Sequence, residues 1–227
     1  QRDFPVPIWG WAEPEVQVTV VFAGQSKSAT SGADGKWRVT LDRLPANANG
    51  TELAITAGDQ TRTIRDVLVG EVWICSGQSN MEWTLAGTEG AQEEIASADH
   101  PLLRQFKVPH VTNSKPQKDL PGDWSVCSTA TAAQFTAVGY YFALQLHREL
   151  GVPIGLLNTS WGGTRIEPWT DPEAFAGGVE LIACAGNIDR DIGRDLAGIA
   201  SGFEHFAAHH VDRSFQRHRA RRDHVEG

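Results

Sequence analysis

Apolar and polar positions alternate through the first third of the chain. Val16-Gln17-Val18-Thr19-Val20 switches at every residue, and Trp37-Arg38-Val39-Thr40-Leu41 and Leu53-Ala54-Ile55-Thr56 follow at short intervals. A period of two places one set of side chains on a buried face, which is the signature of half-buried strands. Gly24, Ala33-Asp34-Gly35 and Pro45 to Gly50 lie between these runs and supply turn chemistry. Short strands separated in this way predict a small β-sandwich-like module over residues 1–66.

The pattern then changes. Val67 to Ser76 is a nearly continuous apolar run, as expected of a strand covered on both faces of a parallel sheet. Thr88 to Ala98 is helix-like, and Arg104 to Val108 fits a strand. From Gln134 to Leu150, Phe135, Val138, Phe142, Leu146 and Leu150 recur at helical spacing, with Gly151 at the stop position. Pro153 to Asn158 is again strand-like. Strand, helix, strand predicts a βαβ unit, and so an α/β domain over 67–200. Residues 201–227 are rich in His and Arg and fit a terminal helix or a tail.

Charge and cysteine content narrow the function. A formal net charge of −8 argues against nucleic acid and anionic membrane as partners, although five arginines crowd into Arg213 to Gly227. No run approaches the roughly 20 apolar residues of a membrane span, and no charged-then-apolar leader opens the sequence. The start, Gln1, does not indicate a compartment. Cys75, Cys127 and Cys184 lack CxxC spacing, so at most one disulfide is expected and no metal or redox cluster. His205 and His209 are four apart, but without a clear third ligand they do not make a metal site.

Two loops concentrate the chemistry. Gly77-Gln78-Ser79-Asn80-Met81 directly follows the first buried strand. A serine on a sharp turn there is held at the mouth of the sheet, beside backbone N–H groups that can receive an oxyanion. The plainer alternative is that Ser79 caps the next helix. Asn158-Thr159-Ser160-Trp161-Gly162-Gly163-Thr164-Arg165-Ile166-Glu167-Pro168-Trp169 follows the second such strand. Its glycines permit close backbone approach to a ligand, Trp161 and Trp169 can stack on a sugar face, and Arg165 and Glu167 can bond hydroxyls. The plainer alternative is an ordinary strand-to-helix loop with tryptophans in the core. Two such loops at strand ends of one sheet point to the same rim.

Together, Gly77-Gln-Ser-Asn-Met81, Asn158-Thr-Ser-Trp-Gly-Gly-Thr164 and Ile166-Glu-Pro-Trp169 closely resemble the sialate O-acetylesterase-like branch of the SGNH hydrolases. Pro5 to Ala12 resembles the start of that family's N-terminal β-domain, and the likeness runs from about Gln1 to Thr170. The resemblance implies a flavodoxin-like three-layer α/β esterase domain with a parallel sheet, preceded by a β-rich domain. It implies removal of acetyl groups from sugar hydroxyls, without a cofactor, and allows a secreted or periplasmic setting. By position, Ser79 matches the nucleophile, and the backbone N–H groups of Ser79 and of Gly162 or Gly163 match the oxyanion donors. Gln78 and Asn80 would shape the substrate pocket.

The family's base is a histidine in an Asp-x-x-His arrangement, and this sequence contains none. After about Gly177 the likeness fades, as in a truncated or frame-altered member. His100, His110 and His147 read as structural or surface residues. Within the tail, His209 or His210 is the favoured base if that segment folds back across the strand ends, with Glu204, Asp212 or Asp223 as orienter. The rival expectation is a sugar-binding form that keeps the loops but lacks a working base. A domain short of its final helices would also expose apolar surface, so homo-oligomerisation is expected.

Overall fold

The computed structural model describes residues 1–111, 119–166 and 169. Glu167, His209, His210 and the helix or tail expected from residue 201 lie outside the described residues. The chain divides between Gly70 and Glu71. Strands β1 (Val6–Trp11), β2 (Gln17–Phe22), β3 (Gln25–Thr30), β4 (Lys36–Leu41), β5 (Asn47–Ala57) and β6 (Gln60–Val69) belong to the first unit. They form an antiparallel sheet of order β3-β2-β5-β6 and a β1-β4 pair. Val18, Val20, Phe22, Leu53 and Ile55 from the larger sheet meet Ile8, Trp37, Val39 and Leu41 from the pair in one buried cluster.

The alternating run that starts at Val16 thus overlaps β2, and those at Trp37 and Leu53 lie within β4 and β5. Strand β3, Gln-Ser-Lys-Ser-Ala-Thr, carries no apolar signal because it is an edge strand with no fully buried residue. It is joined to β2 by Ala23 and Gly24, both at positive φ (48° and 77°). That two-residue loop matches the right-handed twist of the hairpin. The turn expected over Pro45 to Gly50 is partly absorbed into β5, whose register against β6 shifts between Asn47 and Thr51.

Val67 to Ser76 is not one strand. Val67 to Val69 ends β6, a bend at Gly70 intervenes, and β7 spans only Glu71–Cys75. Nor is β7 covered on both faces: Trp73 and Ile74 are 42% and 47% exposed, because β7 is an outer strand among the described strands of its sheet. The second unit continues with α1 (Ser79–Glu82), a 3-10 turn at Leu85–Gly87, α2 (Ala91–Ser97), β8 (His100–Lys107) and β9 (Trp124–Cys127). A second 3-10 turn (Ala132–Gln134), α3 (Ala137–Leu150) and β10 (Ile154–Asn158) follow among the described residues. The sheet order is β7-β10-β8-β9, with β7, β10 and β8 parallel and β9 antiparallel. A flavodoxin-like sheet sets its first parallel strand between the second and third. Here the third, β10, lies between the first and second, so the described strands do not follow that order.

Helix α3 starts three residues later than its apolar periodicity suggested, and it buries a different stripe. Val138, Phe142 and Leu150, expected inside, are 50%, 41% and 44% exposed. Ala137, Gly139, Tyr140, Ala143 and Leu144 are buried instead. The helix approaches the strands closely at Gly139, where a Cβ would lie 2.6 Å from Thr136 Cγ2 and 2.8 Å from Cys75 Sγ. Gly151, at φ 66°, ends the helix as expected and donates its N–H to the His147 carbonyl.

Replacing Gly139 with alanine is expected to lower unfolding stability by about 1–3 kcal/mol through overpacking. Urea denaturation of the whole chain measures it. An unchanged midpoint would mean that α3 is free to move away from β7 and β10.

Candidate functional site

Strands β7 and β10 are hydrogen-bonded neighbours running in the same direction, with Cys75 opposite Asn158 at their C-terminal ends. The pairing continues past the strands, because Thr159 N–H donates to the Cys75 carbonyl (3.0 Å) and Trp161 N–H to the Gly77 carbonyl (2.9 Å). Main-chain bonds thereby hold the loop that carries Ser79 against the loop that carries Gly162. Gly77 sits at φ 137°, a conformation that favours glycine, and it turns the chain out of the strand.

Ser79 opens the single turn α1, in which Met81 and Glu82 donate to the Gln78 carbonyl and Trp83 donates to the Ser79 carbonyl. Among the described residues neither Ser79 Oγ nor its N–H has a hydrogen-bond partner. The turn does not depend on Ser79 as a side-chain cap, since Gln78 holds the N-cap position without a side-chain bond. A second attachment fixes it from behind: Thr136 Oγ1 donates to the Met81 carbonyl (2.5 Å), Ala137 N–H to the Trp83 carbonyl (2.8 Å) and Leu85 N–H to the Phe135 carbonyl (2.9 Å). The nucleophile candidate is therefore braced by the start of α3 as well as by β10.

The second loop comes equally close. A Cβ on Gly162 would stand 3.5 Å from Ser79 Oγ and would have to displace the Glu82 carboxylate. Gly163 has φ 78°, again a glycine conformation. Beneath the loop lies a buried polar chain. Asn158 Oδ1 accepts from Ser160 N–H (3.1 Å) and Ser160 Oγ (2.5 Å), and Asn158 Nδ2 donates to Gln105 Oε1 (3.4 Å). Gln105 also accepts from Thr136 N–H (2.9 Å). Buried polar groups that are mutually satisfied in this way fix a loop's geometry more firmly than packing alone.

Several residues of the site had no distinctive sequence signal. Glu82 Oε2 accepts the Gly162 N–H at 2.5 Å, and its Oε1 stands 3.0 Å from His110 Nε2 and 3.7 Å from Lys107 Nζ. Lys107 Nζ donates to the Ser160 carbonyl (3.0 Å), which also lies 2.9 Å from His110 Nε2. Burial holds the Lys107 ammonium below the usual lysine range, and the neighbouring Glu82 opposes that shift. The available clue to Glu82 was its spacing of three from Ser79, which a helical turn brings to a neighbouring position. His110 has a structural part, one of the two roles expected for it: its ring stacks on Trp161, centroids 4.3 Å apart and 4° from parallel. One indole face of Trp161 is thus occupied. His147 serves the end of α3, with Nδ1 2.8 Å from the Val152 carbonyl. Trp169 Nε1 donates to Thr164 Oγ1 (2.8 Å), which donates to the Trp161 carbonyl (2.8 Å). Trp169 therefore closes its own loop.

With that geometry in hand, the likeness to known proteins is specific. The family model for carbohydrate esterase, sialic acid-specific acetylesterase, matches residues 69–187, and the chain belongs to that family. Sialate O-acetylesterase of Mus musculus is 34% identical over 181 residues, covering 72% of this chain and 34% of that protein. The Homo sapiens counterpart is 32% identical over 195 residues, covering 78% and 36% respectively. The chain thus spans little more than a third of the length of the curated relatives it matches. A crystal structure of a carbohydrate acetylesterase from Xanthomonas citri superimposes with a TM-score of 0.74 at 41% identity, over 79% of this chain and 41% of that one. Among the described residues no helix is long and apolar enough to cross a membrane.

Cys75 lies only four residues from Ser79, but it is no rival nucleophile. Burial pushes its thiol up to about 11, and Cys127 is raised to about 11 chiefly for the same reason. At pH 8 both should remain thiols in the folded protein. Modification by a disulfide reagent is therefore expected to be slow in buffer and fast in urea, read by mass mapping of the two cysteines. Fast native reaction at Cys75 would show that the site floor is open.

Proposed function

We propose that this chain carries the nucleophile and oxyanion loops of a serine esterase that removes O-acetyl or other short acyl groups from carbohydrates, sialic acid esters or acetylated polysaccharides being the substrate classes. The observation that carries this reading is the placement of Ser79 and Gly162 on two main-chain-bonded loops at adjacent strand ends, within the family match. In the proposed reaction Ser79 Oγ attacks the ester carbonyl carbon while a base takes its proton. Negative charge collects on the carbonyl oxygen and is received by the Ser79 N–H and a glycine N–H of the second loop. Each such donor contributes on the order of 3 kcal/mol to the transition state. The sugar hydroxyl departs with the proton, leaving an acetyl-enzyme, and water then attacks with the same base taking its proton. The second carbonyl addition collapses to acetate and free Ser79.

His209 or His210 is the proposed base; both lie outside the described residues. Gln78, Asn80, Trp161, Arg165 and Glu167 are the proposed substrate contacts. A homo-oligomer remains part of this proposal. A second reading, a sugar-binding form without turnover, draws support from the fact that Ser79 Oγ has no imidazole partner among the described residues.

Hydrolysis of p-nitrophenyl acetate separates the two. The wild-type chain should turn over, and Ser79→Ala should lose on the order of 10³-fold or more in kcat. The His209→Ala/His210→Ala double variant should fall comparably if the tail supplies the base. A wild type as inert as Ser79→Ala would give the sugar-binding reading the lead.

A further inference from the structure

The side chain of Glu82 ties the two loops of the site together. It projects from the same turn as Ser79, and its carboxylate takes the Gly162 N–H on one oxygen while facing His110 and Lys107 on the other. Those two cations or donors converge on the Ser160 carbonyl, and the His110 ring lies flat against Trp161. Ser160, Trp161 and Gly162 are therefore each gripped by one cluster, and the cluster is anchored three residues from the proposed nucleophile.

Such an arrangement has two physical consequences. First, the Gly162 N–H is already spent on a carboxylate, a charge-assisted bond roughly twice as strong as a neutral one. It is not available to an incoming oxyanion without breaking that bond. The Gly163 N–H has no partner among the described residues. Second, a carboxylate this close to Ser79 would repel a developing oxyanion unless its charge were offset. Lys107, 3.7 Å from it, is placed to offset it.

Building on the proposed esterase reading, we infer that Glu82 is a positioning residue: it fixes the Gly162 amide, aligns the loop with Ser79, and leaves the Gly163 N–H as that loop's oxyanion donor. Lys107 and His110 brace the same alignment, with Lys107 also screening the carboxylate. Glu82 touches neither substrate nor the reacting atoms, so its effect should fall on kcat and leave KM little changed.

The test compares Glu82→Ala and Glu82→Gln in the full chain, with urea midpoints establishing that each folds. Glutamine keeps the size of the side chain and an oxygen that can accept the Gly162 N–H. Glu82→Ala is expected to lose on the order of 10- to 100-fold in kcat for p-nitrophenyl acetate, the usual scale for a small misplacement of a catalytic group. Glu82→Gln should restore most of that loss. A readout independent of turnover is the Gly162 amide proton in ¹⁵N-labelled protein. It should resonate far downfield in wild type, stay downfield in Glu82→Gln and return to the ordinary range in Glu82→Ala. If Glu82→Ala keeps its kcat, if glutamine is as impaired as alanine, or if the Gly162 resonance does not move, the inference is overturned. If wild type neither turns over nor reacts at Ser79 with an organophosphonate, the esterase reading fails by itself, and the amide resonance still decides whether Glu82 holds Gly162.

Discussion

The parallel pairing of β7 with β10 governs the arrangement of this site. Cys75 and Asn158 stand opposite each other where the two strands end, and the main-chain bonding carries on for two further steps into the loops. Ser79 and Gly162, 83 positions apart in the chain, come together because their loops leave one sheet edge at the same height. The supports then accumulate on that pairing: the Asn158–Gln105 chain below, the start of α3 behind, and Glu82 across the top. Shifting β10 by one residue would turn Asn158 to the opposite face and dissolve all three.

This arrangement also explains why charged groups are tolerated there. Glu82, Lys107 and His110 are only partly exposed, and isolated charges in such surroundings are costly. As a group they satisfy one another and the carbonyl and amide of the loop. Their contribution lies more in holding one geometry than in net stability, since partly buried ion pairs roughly balance desolvation against attraction.

Local rules revealed some of this and concealed the rest. The turn at Gly77 to Met81 and the glycines of the second loop were legible because a serine or a glycine pair following an apolar strand is a local signal. Strands β2, β4 and β10 were legible for the same reason. What escaped depends on tertiary context. The polar edge strand β3 follows its neighbour and has no buried face of its own. The buried stripe of α3 was hidden because its Gly139 and Ala143 carry less apolar signal than the exposed Val138 and Phe142. The run from Val67 to Ser76 read as one strand, since hydrophobicity does not reveal that Gly70 separates two units. Glu82 comes from α1, Lys107 from the end of β8 and His110 from just beyond it, and no local spacing announces that the two segments converge.

The union of the two loops by backbone atoms has an evolutionary consequence. Main-chain bonds are indifferent to most side-chain replacement, so the alignment of serine and glycine loop can persist while the residues around it change. Gln78, Asn80 and Arg165 sit on this frame, and none of the bonds at Thr159 or Trp161 requires their side chains. On the proposed esterase reading, a lineage built on such a frame explores new sugars and new acyl groups by altering its rim alone, while the loop alignment is inherited intact.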